Sequence, residues 1–138
     1  MDELQLKLCD VQGRLFELSG QEKYNSAAFA KAFMTSETAK ALDSKFNHMQ
    51  WAGEEYLLEE LADEKEKELV QTGEQYPKEM LFWIGYIYRY WHYYTGESSR
   101  SIYKQAPANV MKRNYMMFHT VDPQLAVDDL REIYRQKQ

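Results

Sequence analysis

Cysteine, proline and glycine are all scarce in this chain of 138 residues: one Cys, three Pro and six Gly. A lone thiol, Cys9, cannot close an internal bridge, so a disulfide scaffold is excluded and a reducing, cytoplasmic setting is expected. So little Gly and Pro argues against a turn-rich β-sandwich and for long helices. No hydrophobic run is long enough to span a bilayer, so no membrane role is expected. The opening residues, MDELQLKLCD, are acidic and polar, unlike a signal or transit peptide. What is present is ample apolar and charged material. Hydrophobic residues make up 44% and charged ones 28%, enough for a core and a hydrated surface, which excludes a disordered or collagen-like chain.

Charge divides the chain unevenly. Residues 1–70 hold eight Lys/Arg against fifteen Asp/Glu, whereas residues 71–138 hold nine against seven, giving the net charge of −5. An acidic protein repels phosphates, so nucleic acid is the less favoured partner and a protein the more favoured one. One island differs. Between Glu97 and Asp122 there is no acid, and Arg100, Lys104, Lys112 and Arg113 stand there as candidate anion or DNA contacts. A solvated helix face is the commoner account of four such charges.

Apolar spacing reads as helices throughout. Leu4, Leu8, Val11, Leu15 and Leu18 form one stripe, and Gly20 suits the left-handed position that closes a helix. Asn25 or Ser26 caps a second helix and Thr35 or Ser36 a third, which runs through Leu42. A fourth helix is expected from about Gln50 to Gln71, with Trp51, Leu57, Leu58 and Leu61 inward and Gly73 closing it. Its outer face bears Glu54, Glu55, Glu59 and Glu60, the candidate partner-binding residues. A fifth runs from about Lys78 to Tyr94, closed by Gly96. Ser98 or Ser99 opens a sixth, Pro107 a seventh, and Asp122-Pro123 a last helix bearing Leu125, Val127, Leu130, Ile133 and Tyr134. The expected fold is an all-α, single-domain bundle (1–138) of about six to eight helices around a central aromatic-rich helix at about 78–95.

That central helix is the oddest segment. Eight of the thirteen residues from Phe82 to Tyr94 are aromatic, as befits the buried centre of a bundle. Gly85 within it lets a neighbouring helix come close. Its tyrosine hydroxyls need partners or the rim of the core. Arg89 and His92 lie three apart on one face, so a buried polar pocket is expected, with an acid from Glu54, Glu55, Glu59 or Glu60 neutralising the guanidinium. Such a group either fixes helix register or binds a small anionic ligand, and the first is commoner.

Catalytic patterns are weak. His48, His92 and His119 are far apart and no metal-ligand spacing occurs, so no metal, cofactor or enzymatic activity is expected. Cys9, beside Asp10, reads as a packing residue. Serines 98, 99 and 101 read as caps. Residues 98–118 have the outline of a helix-turn-helix, but Tyr103 stands where a small residue is wanted and the turn lacks glycine.

Four phrases stand out: Gln50-Trp51-Ala52-Gly53-Glu54-Glu55-Tyr56, Tyr88-Arg89-Tyr90-Trp91, Thr95-Gly96-Glu97-Ser98-Ser99 and His119-Thr120-Val121-Asp122-Pro123. Through them the chain resembles, over nearly its full length, a group of small, acidic, uncharacterised bacterial proteins. The resemblance implies genes lying beside proteins similar to ADP-ribosyltransferase-type toxins, and hence an antitoxin-like or accessory role. The expected function is a non-enzymatic protein-binding module. A DNA-binding regulator using 98–118 and a small-ligand binder with an Arg89/His92 pocket are the alternatives.

Overall fold

The computed structural model describes residues 1–44 and 51–138, so His48 and Gln50 lie outside the described residues. Its helices are α1 (Glu3–Gln21), α2 (Ser26–Met34), α3 (Glu37–Asp43), α4 (Glu54–Lys65), α5 (Lys78–Thr95), α6 (Ser99–Gln105), α7 (Ala108–Phe118) and α8 (Pro123–Gln136). No strand occurs among the described residues. The bundle is all-α with the aromatic helix α5 at its centre.

Local chemistry sets most helix starts. Asp2 caps α1 in a reciprocal box with Gln5, and Asn25, Ser36, Ser98 and Asp122 each accept a backbone N–H at the head of α2, α3, α6 and α8. These side chains satisfy donors that helical geometry leaves open. Gly96 adopts φ 80° after α5. The end of α1 differs from expectation. Gly20 stays helical, and the left-handed residue is Lys23 at φ 67°. Gly20 is instead where Leu81 presses on α1: an added Cβ would lie 2.9 Å from its Cδ1.

Helix α1 packs antiparallel on α5, Gly20 against Leu81 and Gln12 against Arg89. Gly85 makes the close approach possible. A Cβ there would sit 2.5 Å from the backbone oxygen of Gln12, so the roughly 1 kcal/mol that glycine costs a helix is offset by helix–helix packing. Gln12 closes the contact by donating from Nε2 to the Gly85 carbonyl at 2.9 Å. Around this seam the rings meet edge to face, Phe16 lying 5.2 Å from Phe29 and 5.8 Å from Phe33. All three phenylalanines are fully buried, each contributing about 1.5–3 kcal/mol of transfer free energy. Trp91 and Tyr88 complete the centre, and the Tyr88 hydroxyl donates to Ala106 O at 2.6 Å.

The fourth helix is shorter than its sequence suggests. It ends at Lys65, and Gly73 lies well beyond it at φ 98°. The chain instead crosses the corner between α1 and α2. Asn25 N donates to Val70 O at 2.7 Å and Ser26 N to Glu74 O at 3.0 Å. Tyr76 N donates to Ser26 Oγ at 2.8 Å. This strap accepts or supplies the hydrogen bonds that the α2 terminus needs.

Candidate functional site

Helix α4 is held by Leu57 and Leu61, both fully buried. Their spacing turns Glu55, Tyr56, Glu59 and Glu60 to solvent, with Glu54 half-buried. None of the four candidate glutamates forms an ion pair with a described residue. Glu54 and Glu55 sit in the first turn, where the helix dipole favours a negative charge. Two aromatic residues share this acidic region in the open: Trp51 is 76% exposed and Tyr56 45%. Trp51 thus departs from the inward position expected of it, because the helix starts after Gly53 and does not carry it around to the core side. The charge of Glu60 and its hydrogen bond to the phenol raise the Tyr56 pKa, a sign of the local negative potential.

Arg89 does not meet these glutamates. It is 1% exposed, and its guanidinium is closed in by three helices. Nη1 donates to Asp43 Oδ1 at 2.7 Å, Nε to Gln12 Oε1 at 2.8 Å, and Nη2 to Ser99 Oγ at 3.2 Å. Asp43 in turn accepts from Ser99 N at 2.9 Å and Ser99 Oγ at 2.8 Å. The counter-ion therefore comes from α3 rather than α4. Helix α1 meets α5 with Gln12 facing Arg89, and the end of α3 delivers the acid across from them. Ser99 is accordingly more than a cap.

His92 joins the margin of this cluster. Its Nδ1 lies 2.6 Å from Glu97 O and 3.7 Å from Asp43 Oδ1. A carbonyl can only accept, so Nδ1 carries a proton and donates it to Glu97 O. The ring borders an open cleft of about 670 Å³ with Asp2, Gln5, Asp43 and Tyr93. The Tyr93 ring lies 5.9 Å from the Arg89 guanidinium carbon, and its buried hydroxyl has no partner among the described residues. With its polar contacts made to protein, Arg89 acts as an internal tie between α1, α3, α5 and α6.

The basic island is divided. Arg100 donates to Thr35 O at the end of α2, and Lys112 pairs with Glu74 while lying 5.4 Å from the Tyr76 ring. Lys104 and Arg113 are exposed and pair with no described residue. Helices α6 and α7 pack mainly on α5 and α2. Tyr103 fills the corner between them, 6.2 Å from the Tyr88 ring, with Ala108 N 3.5 Å from its hydroxyl. Two of the four cations thus serve the fold.

Other polar groups are structural in ways their neighbours in sequence conceal. Glu64 reaches from α4 to the head of α3, accepting from Glu37 N at 2.6 Å and Thr38 N at 3.1 Å. Glu97 receives Trp91 Nε1 at 3.1 Å, Gln105 Nε2, and the Arg131 guanidinium at 3.3 Å. Burial works to raise its pKa, but those hydrogen bonds and the Arg131 charge hold it below the ordinary value. Cys9 is fully buried. Burial foremost, with the Asp10 charge adding, pushes its thiol up to about 12 against the opposing charge of Arg89, so it stays a thiol. No helix among the described residues is long and apolar enough to cross a membrane. No family model, curated protein or solved structure matches the chain.

Proposed function

We propose that this chain is a non-enzymatic protein-binding module, antitoxin-like or an accessory partner of a bacterial toxin-type protein, and that it engages a basic partner through the α4 face. One observation carries the reading: Trp51 and Tyr56 stand in solvent beside Glu55, Glu59 and Glu60, while most of the large aromatic side chains are buried or half-buried. An exposed tryptophan offers a large, stiff anchor for a pocket on a partner. Carboxylates around it that pair with no described cation speed encounter with a basic surface and disfavour acidic ones. The acidic first half of the chain adds to the same field.

The test is a titration against the protein encoded by the neighbouring gene, followed calorimetrically. Trp51→Ala is expected to weaken the complex at least tenfold, as for a hot-spot residue. Reversing Glu55, Glu59 and Glu60 to Lys is expected to slow association and to flatten its salt dependence. Unchanged affinity in both variants removes the α4 face from the interaction.

A further inference from the structure

A second surface, distinct from α4, runs along the central helix. Phe82, Tyr86, Tyr90 and Tyr94 recur every four residues and form a ladder with ring centroids 6.0, 6.4 and 6.3 Å apart. Three of these rings are half-buried and Tyr94 is exposed, so the ladder has an open side. Phe82 rests on α1 at Gly13, where an added Cβ would come within 2.7 Å of the ring. At that end Phe82 and Tyr86 continue into a cleft of about 370 Å³ with Trp83, Tyr115, His119 and Val121. The hydroxyls of Tyr86 and Tyr90 hydrogen-bond to no described residue, whereas that of Tyr94 donates to Asp128 Oδ1 at 3.0 Å.

The rim is negative. Asp10 flanks the ladder on the α1 side and Glu79 lies at the cleft, with Asp122 and Asp128 on the α8 side. Arg14 neutralises Asp10 on the α1 side and Arg131 is held by Glu97, so the carboxylates that pair with no described cation are Glu79, Asp122 and Asp128. Burial first, then the Asp122 charge, raises the Tyr90 phenol pKa, which agrees with a field hostile to anions.

We propose that this aromatic groove docks an arginine- or lysine-rich segment of a protein partner. Aromatic rings attract guanidinium and ammonium groups through their quadrupole, and desolvation strengthens that attraction. The carboxylates at the cleft and on the α8 side complement the same charges, and the Tyr86 and Tyr90 hydroxyls, which bond to no described residue, can bond the segment's backbone. The proposal rests on the chain being a protein-binding module but uses a different surface, so each can fail alone.

The probe is a fluorescein-labelled peptide of alternating arginine and alanine, with a glutamate-for-arginine version as control, followed by anisotropy. Binding is expected for the basic peptide alone. Asp122→Asn with Asp128→Asn keeps both hydrogen-bonding roles while removing two charges, and is expected to weaken binding about tenfold. Tyr86→Leu with Tyr90→Leu keeps apolar bulk and is expected to do the same, with helicity by circular dichroism unchanged. Glu59→Lys with Glu60→Lys is expected to leave binding within about twofold. Amide shifts on peptide addition should centre on Tyr86, Tyr90 and Tyr94. No binding, equal binding of the acidic peptide, or loss confined to the α4 variant would overturn the groove assignment. That last outcome would leave the α4 reading intact.

Discussion

The buried guanidinium of Arg89 on α5 and the part-buried carboxylate of Asp43 at the end of α3 form an ion pair 2.7 Å long, 46 residues apart in the chain. Through Gln12 and Ser99 the same guanidinium also binds α1 and α6. One cation thus ties four helices at a single point, and the cost of dehydrating it is offset only while every partner is present.

Removing one partner should therefore be costly. Asp43→Leu is expected to lower unfolding free energy by about 3–5 kcal/mol, since it leaves the buried guanidinium without its counter-ion, and Arg89→Met by less, since Asp43 borders the open cleft. The double substitution should recover much of that loss, because no uncompensated ion remains. Urea unfolding of the three variants and the parent measures this as a coupling energy. Additive losses would show that the two residues act independently.

Gly85→Ala provides a test with an unusual sign. On helix propensity alone the change should stabilise α5 by about 1 kcal/mol. The new Cβ would meet backbone oxygen of Gln12 at 2.5 Å, and backbone cannot swing aside. Net destabilisation of about 1–3 kcal/mol is expected from overpacking. A rise in melting temperature would mean that α1 and α5 are not so close.

Glu97 makes stability depend on acid. Its folded pKa lies below the ordinary 4.5, so the unfolded chain takes up a proton more readily. The contribution is fully present above about pH 4.5 and is lost as pH falls through the lower, folded value. Thermal melts at pH 7 and at about pH 3.5 should show the parent losing more stability on acidification than Glu97→Gln. Parallel losses would exclude the residue as a source of the pH dependence.

Glu64 ties the start of α3 to α4 through two backbone N–H groups and the Thr38 hydroxyl. Glu64→Ala removes this cap from a neighbouring helix and is expected to cost about 1 kcal/mol. Neighbouring Asp63→Ala, at an exposed position, should fall within about 0.5 kcal/mol. Equal effects would mean that general charge, rather than the cap, is being measured.

Trp51→Ala separates binding from folding. At 76% exposure the ring gives α4 little, so its removal is expected to change stability by no more than about 0.5 kcal/mol. Any larger loss in a denaturant melt would place the ring in the structural framework instead of on an open face.

The helices and much of their punctuation follow from local chemistry along the chain. Asn25, Ser36, Ser98 and Asp122-Pro123 act on N–H groups within two or three residues, and the leucine stripe of α1 needs only the helical period, so both are local properties. Gly85 was likewise legible, because a glycine inside a strongly apolar helix has few uses besides close packing. The end of α4 was not. It depends on residues 70–76 finding the open donors of α2, some fifty positions earlier in the chain. The partner of Arg89 was beyond sequence for the same reason: burial requires a counter-charge, but several acids satisfy that requirement equally until packing chooses one. Exposure divided similarly. Periodicity places the aromatic ladder on one side of α5, yet only the positions of α1, α7 and α8 decide that this side remains open. Hydrogen bonds and sterics over a few residues make the elements; contacts between distant residues select which charges are neutralised and which rings meet solvent.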